Sequence, residues 1–177
     1  MIDKYKYTDT EFKDLLGSIG YYYDTREKEI AHLVKHAEQA GIVFKRKKLD
    51  YGDVTAFIPA SEKLHIPREM IFDRELFIER KASLDELVGN LLNDRARLEK
   101  ELSLAPPRRL LLIENAKYED ILLGNYRSKM LPKSLWSSYH SLVEKYGLET
   151  AWVQDNSKSF YYIMGFCQQY IRKRVLR

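Results

Sequence analysis

The stretch Glu75-Leu76-Phe77-Ile78-Glu79-Arg80-Lys81-Ala82-Ser83-Leu84-Asp85 passes from apolar residues to a cluster of charges and then into a new pattern. Its first five residues predict a strand over Glu75–Glu79. Apolar side chains then recur at the spacing of a helix that runs toward Leu102: Leu84, Leu87, Val88, Leu91 and Leu92. The charged residues therefore fall between a strand and a helix, where a rigid sheet can hold side chains in fixed geometry.

Strands and helices are intermixed on both sides of this stretch. The apolar run Leu110–Ile113 predicts a strand that is buried on both faces. Further strands are predicted over 19–24, 42–49, 54–58 and 150–154, and helices over 27–40, 118–123, 132–146 and 157–172. Together they predict an α/β domain with a mixed central sheet flanked by helices.

The chain begins with a separate helical signal. Thr8-Asp9-Thr10-Glu11 has the form of a capping box and precedes an amphipathic run. We therefore expect a short N-terminal helical extension over residues 1–19, followed by one domain over residues 20–177.

Composition excludes several classes of protein. The 177 residues contain no apolar run near the roughly 20 residues of a membrane span, and Met1–Tyr7 lacks the apolar stretch of a signal peptide. A single cysteine, Cys167, excludes an intrachain disulfide framework and lies in an apolar helical pattern that predicts a core position. These features predict a protein of the reducing cytoplasm with no membrane contact, and the net charge of +4 permits a nucleic-acid partner.

Carboxylates and lysine recur at the ends of the predicted strands. Asp24 ends the first strand, Asp53 lies between two strands, and Glu79 with Lys81 ends another. Hydrolysis of a phosphodiester requires a hard divalent cation, for which carboxylate oxygens are the preferred ligands. It also requires a positive group to balance the charge that develops on the phosphoryl oxygens. An Asp followed by Glu-x-Lys supplies both, as in the PD-(D/E)XK nucleases, although such short patterns also occur by chance.

A longer pattern is far more specific. Gly52-Asp53 followed by Glu79-Arg80-Lys81-Ala82-Ser83-Leu84-Asp85 reproduces the GD…ERKxxxD signature of the XPF/Hef-type (ERCC-type) structure-specific endonucleases. Asp24-Thr25-Arg26-Glu27 resembles the DxRE element of that family, and Tyr118–Lys129 resembles its small bacterial and bacteriophage members. The resemblance runs from about residue 20 to residue 170 and implies a restriction-endonuclease-like fold in a bacterial or bacteriophage protein.

The resemblance also implies roles for the signature residues. Asp53 and Glu79 would be side-chain ligands of Mg²⁺ or Mn²⁺, and the backbone carbonyl of Arg80 would assist them. Lys81 would orient the attacking water or stabilise the pentavalent phosphate. Asp24 would lie beside the metal, as a direct ligand or through water.

Three further residues, two of the DxRE element and one of the signature, have supporting roles in the resemblance. Arg26 and Glu27 would support the site or contact DNA. Asp85 would hold Lys81 or Arg80 by an ion pair, or cap its own helix, where an acidic residue is favoured by the helix dipole in any case.

Basic residues outside the signature are candidate DNA contacts. Arg127 and Lys129 lie in a polar turn and are suited to phosphate. Arg95 and Arg97 are suited to the DNA backbone as well, or to ion pairs on the helix surface with Glu99 and Glu101. Lys45–Lys48 fits an exposed edge strand or a phosphate-binding patch. His32 and His36 share a helix face at a spacing that zinc accepts, but the lack of a third ligand favours a surface pair.

The resemblance implies metal-dependent cleavage of DNA, on branched substrates such as forks, flaps or junctions, in repair, recombination or replication. Two departures from the family are the segment 60–73, a substrate-facing loop or a simple decoration, and the lack of a tandem helix-hairpin-helix after Arg172. The alternatives are a non-catalytic DNA-binding or scaffold module and a nuclease subunit that is recruited by a partner protein. The protein could also form a homodimer through the last two helices. The presence of every signature residue favours the enzyme.

Overall fold

A computed structural model describes residues 6–175, without the side chain of Val175. In chain order the elements are α1 (Asp9–Gly17), β1 (Gly20–Tyr23), α2 (Ala31–Gln39), β2 (Phe44–Arg46), β3 (Val54–Ile58), β4 (Met70–Ile71), β5 (Leu76–Lys81), α3 (Leu84–Asn93), α4 (Arg95–Leu104), β6 (Arg108–Glu114), α5 (Glu119–Leu123), α6 (Pro132–Tyr146), β7 (Glu149–Val153) and α7 (Ser159–Val175). A short 3₁₀ turn, Asn156–Lys158, precedes α7.

The strands form two adjoining sheets. One has the order β2-β1-β3-β4, in which β1 is parallel to β2 and antiparallel to β3. The other has the order β5-β6-β7 and is parallel throughout. Strands β3 and β5 meet at a seam, where the backbone N–H of Asp53 donates to the carbonyl of Ile78 at 2.8 Å. The predicted mixed α/β class is confirmed, with its strands divided between two ladders at this seam.

Helices cover both faces of the strands. Alternate residues of β6 show the division, because Leu110 and Leu112 belong to a core with α1, α2 and α7. Leu111 and Ile113 belong to a second core with α3, α4, α5 and α6. The prediction that this strand is buried on both faces is confirmed, since strand side chains alternate between the two faces.

The N-terminal helix packs onto the domain. Thr8 caps α1 in the predicted capping box with Glu11, and Leu15 at the far end of the helix is fully buried in the first core. Residues 1–5 lie outside the described part of the chain, as do residues 176–177.

Several predicted boundaries differ from the structure, and β5 extends to Lys81 rather than ending at Glu79. Helix α2 begins at Ala31 rather than at Glu27, because hydrogen bonds with Asp24 and Arg80 hold residues 26–29 outside the helix. Strand β2 is limited to Phe44–Arg46, since its partner β1 ends at Tyr23. The helix predicted from Leu84 to Leu102 is two helices that break at Asp94, which has a φ of −121°; Asp is a weak helix former because its side chain competes for backbone groups.

Other predictions can be compared directly. Cys167 is fully buried, as predicted. The segment 60–73, which was interpreted as a substrate-facing loop or a simple decoration, contains β4 and a bridge between Ser61 and Ile66. Within residues 6–175, no helix is both long enough and apolar enough to cross a membrane.

Candidate active site

A cleft of about 310 Å³ lies at the seam between the two sheets. It is lined by four charged residues of the signature, Asp53, Glu79, Arg80 and Lys81. Further lining residues come from the turn after β1 and from α3 and α4, and they include Arg26, Glu27, Asn90, Arg97 and Glu101. The tertiary structure therefore brings together the two parts of the signature that the chain separates.

The close approach of the two sheets requires glycine at position 52. Gly52 has a φ of +70°, in the left-handed region that side chains disfavour. A Cβ at this position would lie 2.8 Å from the carbonyl oxygen of Ile78. The glycine of the motif thus lets the chain approach β5 and turn so that Asp53 enters the seam.

The Asp53 carboxylate takes part in the junction of the sheets. Its Oδ2 accepts a hydrogen bond from the backbone N–H of Arg80 at 2.7 Å. Burial, followed by the negative charges of Glu79 and Glu27, raises the pKa of Asp53 well above its usual value. A cation bound at this carboxylate would relieve the same repulsion.

Glu79 and Lys81 form a buried ion pair in the cleft. They are two residues apart on β5, so their side chains share one face. Lys81 Nζ donates to Glu79 Oε1 at 2.7 Å, and the two residues are only 5% and 8% exposed. Burial lowers the pKa of Lys81, but the charge and hydrogen bond of Glu79 outweigh burial and leave the pKa raised. Lys81 therefore carries its positive charge inside the cleft.

Arg80 has a different set of side-chain contacts. Its guanidinium forms an ion pair with Glu27, donates to Glu114 Oε2 at 2.7 Å, and donates to the backbone carbonyl of Glu29 at 3.0 Å. Its side chain is 3% exposed. Arg80 thus links the strand that carries the site to the turn that carries Glu27.

The Asp24 carboxylate is occupied by hydrogen bonds with its own turn and the next loop. Oδ1 accepts from the backbone N–H of Arg26 at 2.9 Å and from Arg26 Nε at 2.6 Å, and Oδ2 accepts from the backbone N–H of Leu49 at 2.7 Å. Burial raises the pKa of Asp24, but these bonds outweigh it and the pKa is lowered. Asp24 fixes Arg26, whose side chain is 73% exposed, beside the cleft.

Asp85 holds a loop and has neither of the predicted ion pairs. It accepts from the backbone N–H of Arg127 at 2.7 Å and from Arg127 Nε at 2.9 Å. Ser83, rather than Asp85, caps α3 by accepting from the backbone N–H of Glu86. Glu86 also lies 3.7 Å from Lys81 and takes the place that the sequence suggested for Asp85.

The remaining basic candidates are dispersed. Arg97 lines the cleft. Its guanidinium lies 3.7 Å from the Asp94 carboxylate, and not in the alternative ion pair with Glu101. Arg95 pairs with Glu99 at 2.7 Å, as that alternative predicted. Lys129 lies on the exposed loop that Asp85 anchors through Arg127, outside the lining of the cleft.

The prediction that His32 and His36 form a surface pair was wrong for His32. His32 is mostly buried and its Nε2 lies 2.9 Å from Glu114 Oε1, whereas His36 packs against the ring of Tyr161. Sequence reasoning gave no role to Glu114. Its position, a single charge at the end of an apolar strand, is the signal that could have marked it.

The donor set can be tested against a metal ion. Among the His, Cys, Asp and Glu side chains of residues 6–175, no group of three or more converges as a ready metal site. Asp53 and Glu79 nonetheless offer the hard oxygen donors that Mg²⁺ and Mn²⁺ prefer. Burial and then the charges of Glu79 and Glu27 raise the pKa of Asp53, and a bound cation would offset both effects. The residues therefore fit a divalent cation by their chemistry.

Comparisons with known proteins agree with this arrangement. The family model of the ERCC4 domain matches residues 23–166. Two structures of XPF from Aeropyrum pernix, one of them in complex with DNA, each match with a TM-score of 0.60, at 18% and 17% sequence identity. Each match covers 86% of this chain and 65% of the other, so this chain spans less than two thirds of those proteins. The comparison with curated proteins gave no match.

The family match extends over most of the chain and includes both halves of the signature, while the structural matches show the fold. The resemblance inferred from the GD…ERKxxxD pattern is confirmed: the chain belongs to the ERCC4 domain family.

Proposed function

We propose that this protein is a metal-dependent DNA endonuclease that hydrolyses phosphodiester bonds. One observation carries the proposal: Asp53, Glu79 and Lys81 line a single cleft at the seam of the two sheets. A decayed family member that served only as a scaffold would have no need of this set.

The carboxylates of Asp53 and Glu79 are the proposed metal ligands, with Glu27 and the backbone carbonyl of Arg80 as neighbouring donors. A bound Mg²⁺ or Mn²⁺ would polarise the scissile phosphate and lower the pKa of a water molecule. The proposed role of Asp24 is to hold Arg26. Its alternative role is to lie beside the metal, with a water molecule between them.

Lys81 supplies the positive charge that this chemistry needs. Its ammonium is buried, protonated and paired with Glu79 at 2.7 Å. Negative charge that develops on a phosphoryl oxygen in the cleft would be stabilised by the same ammonium. The low exposure of Lys81 and Glu79 strengthens the attraction between the ammonium and the phosphoryl oxygen, since few water molecules screen the charge.

DNA is the proposed substrate. Arg26 and Arg97 lie at the cleft and are suited to phosphate, while Arg127 and Lys129 extend the basic surface beyond it. A structure of XPF from Aeropyrum pernix in complex with DNA supports this choice. Branched DNA, and a role in repair, recombination or replication, are proposed from the family resemblance.

A homodimer is also proposed. A cleft of about 480 Å³ beside β6, β7 and α7 is lined by the aromatic rings of Tyr161, Tyr162 and Phe166, together with polar and charged side chains that include Arg108 and Glu149. Tyr161 is 59% exposed, which is high for a large side chain with an apolar ring. Size-exclusion chromatography with light scattering tests for the dimer, and added forked duplex tests whether DNA is bound without a partner protein.

The central experiment incubates the pure protein with labelled linear, flap, fork and four-way DNA, in Mg²⁺, Mn²⁺ or a chelator. We expect cleavage of branched DNA that needs the metal and is lost in Asp53→Asn and Glu79→Gln. Asp50→Asn is the matched control, because Asp50 lines the same cleft but is exposed and pairs weakly with Arg74. Binding of branched DNA without cleavage under every condition would instead support the scaffold module.

A further inference from the structure

We propose that Glu114 is a positioning residue of the candidate active site, which it organises by holding the Arg80 guanidinium away from the two proposed metal ligands, Asp53 and Glu79. The inference rests on the proposed function and extends it to a residue outside the signature. Glu114 acts through Arg80, with His32 and Glu27 as the other members of one buried network.

The burial of Glu114 requires partners for its charge. The residue is 0% exposed at the end of β6, where an unpaired carboxylate would be strongly unfavourable. Oε2 accepts from Arg80 Nη2 at 2.7 Å, and Oε1 lies 2.9 Å from His32 Nε2. The Arg80 guanidinium and the His32 ring thus supply the partners that a buried carboxylate needs.

Arg80 connects this carboxylate to the cleft. One side of its guanidinium holds Glu27, which lines the cleft. Its backbone N–H donates to Asp53 Oδ2 at 2.7 Å. One residue thus sets the position of two carboxylates of the site, and Glu114 sets the position of its guanidinium.

The charge of Glu114 affects which carboxylates hold the Arg80 guanidinium. Arg80 Nε is buried without a hydrogen-bond partner, so the guanidinium is held by its two Nη groups alone. Without the charge of Glu114, the guanidinium would keep Glu27 as its carboxylate partner, in the lining of the cleft that also holds Asp53. An internal cation drawn further toward these carboxylates would compete with a divalent metal ion.

The test compares Mn²⁺ binding by the full chain and by Glu114→Gln, which keeps the shape and an acceptor oxygen but removes the charge. Electron paramagnetic resonance of free Mn²⁺ gives the dissociation constant without any reaction. We expect it to rise about 10- to 100-fold, the range for loss of a residue that supports metal ligands. The Mn²⁺ concentration for half-maximal single-turnover cleavage should rise in parallel, while affinity for forked DNA in chelator stays unchanged.

Two further variants separate positioning from folding. Glu99→Gln is the control, since Glu99 is another hydrogen-bonded carboxylate, with three partners of its own. Because Glu99 lies outside the lining of the cleft, this substitution should not change Mn²⁺ binding. His32→Asn removes the outer contact of Glu114 from a residue whose side chain is 18% exposed. It should raise the Mn²⁺ dissociation constant in the same direction, even if Glu114→Gln fails to fold.

The outcomes are distinct. Equal Mn²⁺ affinity in the unaltered protein, Glu114→Gln and His32→Asn would overturn this inference and leave the proposed function intact. Absence of Mn²⁺ binding by the unaltered protein would overturn the proposed function and the inference with it. A rise in the dissociation constant for Glu114→Gln or His32→Asn, with none for Glu99→Gln, supports the positioning role.

Discussion

The backbone N–H of Asp53 donates to the carbonyl of Ile78 at 2.8 Å and joins the two sheets at the candidate active site. The Asp53 carboxylate then accepts from the backbone N–H of Arg80 at 2.7 Å. The carboxylate of Asp53 thus takes the place of the backbone carbonyl that would continue the hydrogen-bonded ladder along β5. The structural junction and the proposed metal ligand are therefore the same residue.

The junction makes Gly52→Ala a damaging substitution. The new methyl group would meet the Ile78 carbonyl at 2.8 Å, on a backbone whose φ is +70°. We expect the free energy of unfolding to fall by about 1–2 kcal/mol, the cost of left-handed backbone for a residue with a side chain. Urea unfolding measures this change, and cleavage should fall further because Asp53 is displaced.

Gly89→Ala is the matched control for Gly52→Ala. Gly89 lies within α3, where an added Cβ would meet nothing within 4 Å. Alanine is favoured over glycine in a helix by up to about 1 kcal/mol, so this variant should be as stable as the unaltered protein or more stable. A loss of stability in Gly89→Ala equal to that in Gly52→Ala would contradict the account of the seam.

Lys81→Gln should remove catalysis and leave binding. The amide keeps most of the side-chain volume but has no charge for the phosphoryl oxygens. We expect the single-turnover rate to fall about 100-fold or more, as for loss of other groups that stabilise developing charge. Affinity for forked DNA in chelator should stay within the error of a fluorescence anisotropy titration.

Lys63→Gln provides the comparison for Lys81→Gln. Lys63 also pairs with a carboxylate, Asp14, at 2.5 Å, but its side chain is 73% exposed and lies outside the lining of the cleft. Its cleavage rate should match that of the unaltered protein. A rate for Lys81→Gln that also matches would remove Lys81 from the proposed mechanism.

Asp85→Asn should release the loop that carries Arg127 and Lys129. The carboxylate accepts two hydrogen bonds from Arg127, and they lower the pKa of Asp85. We expect faster amide hydrogen exchange over residues 124–130 and a loss of about 1 kcal/mol or less in the free energy of unfolding, since the pair is partly exposed. Asp94→Asn should leave exchange in this loop unchanged, because Asp94 pairs with Arg97 instead.

The stability of the protein should depend on Glu99 in acid. Hydrogen bonds from Lys145, Arg95 and Tyr146 lower the pKa of Glu99 to about 2. A lowered pKa in the folded state means that the carboxylate stabilises the protein above its ordinary pKa, near 4.3, and that this contribution is lost as the pH falls toward 2.

Urea midpoints from pH 7 to pH 2 test this dependence. Glu99→Gln should be less stable than the unaltered protein at pH 7, and the difference should shrink as the pH falls from about 4 toward 2. A difference that does not depend on pH would show that loss of packing, and not loss of charge, explains the effect.

Much of the fold follows from local patterns. The apolar run of β6 predicted a strand buried on both faces, and its alternate residues do belong to two cores. The predicted bounds of β3 and α6 agree with the structure. The start of α2 was not predicted correctly because it depends on hydrogen bonds with Asp24 and, in β5, with Arg80, which no periodicity records.

The sequence alone determined the family, the α/β class and the candidate residues of the site, because spacing and residue type are properties of the chain. Only the tertiary structure decided which of these residues meet. It placed Asp53 against β5, directed Asp85 to Arg127, and gave Arg80 the partner Glu114 from a strand 34 residues away. The physical reason is that a buried charge must be paired, and its partner is set by how the strands and helices pack.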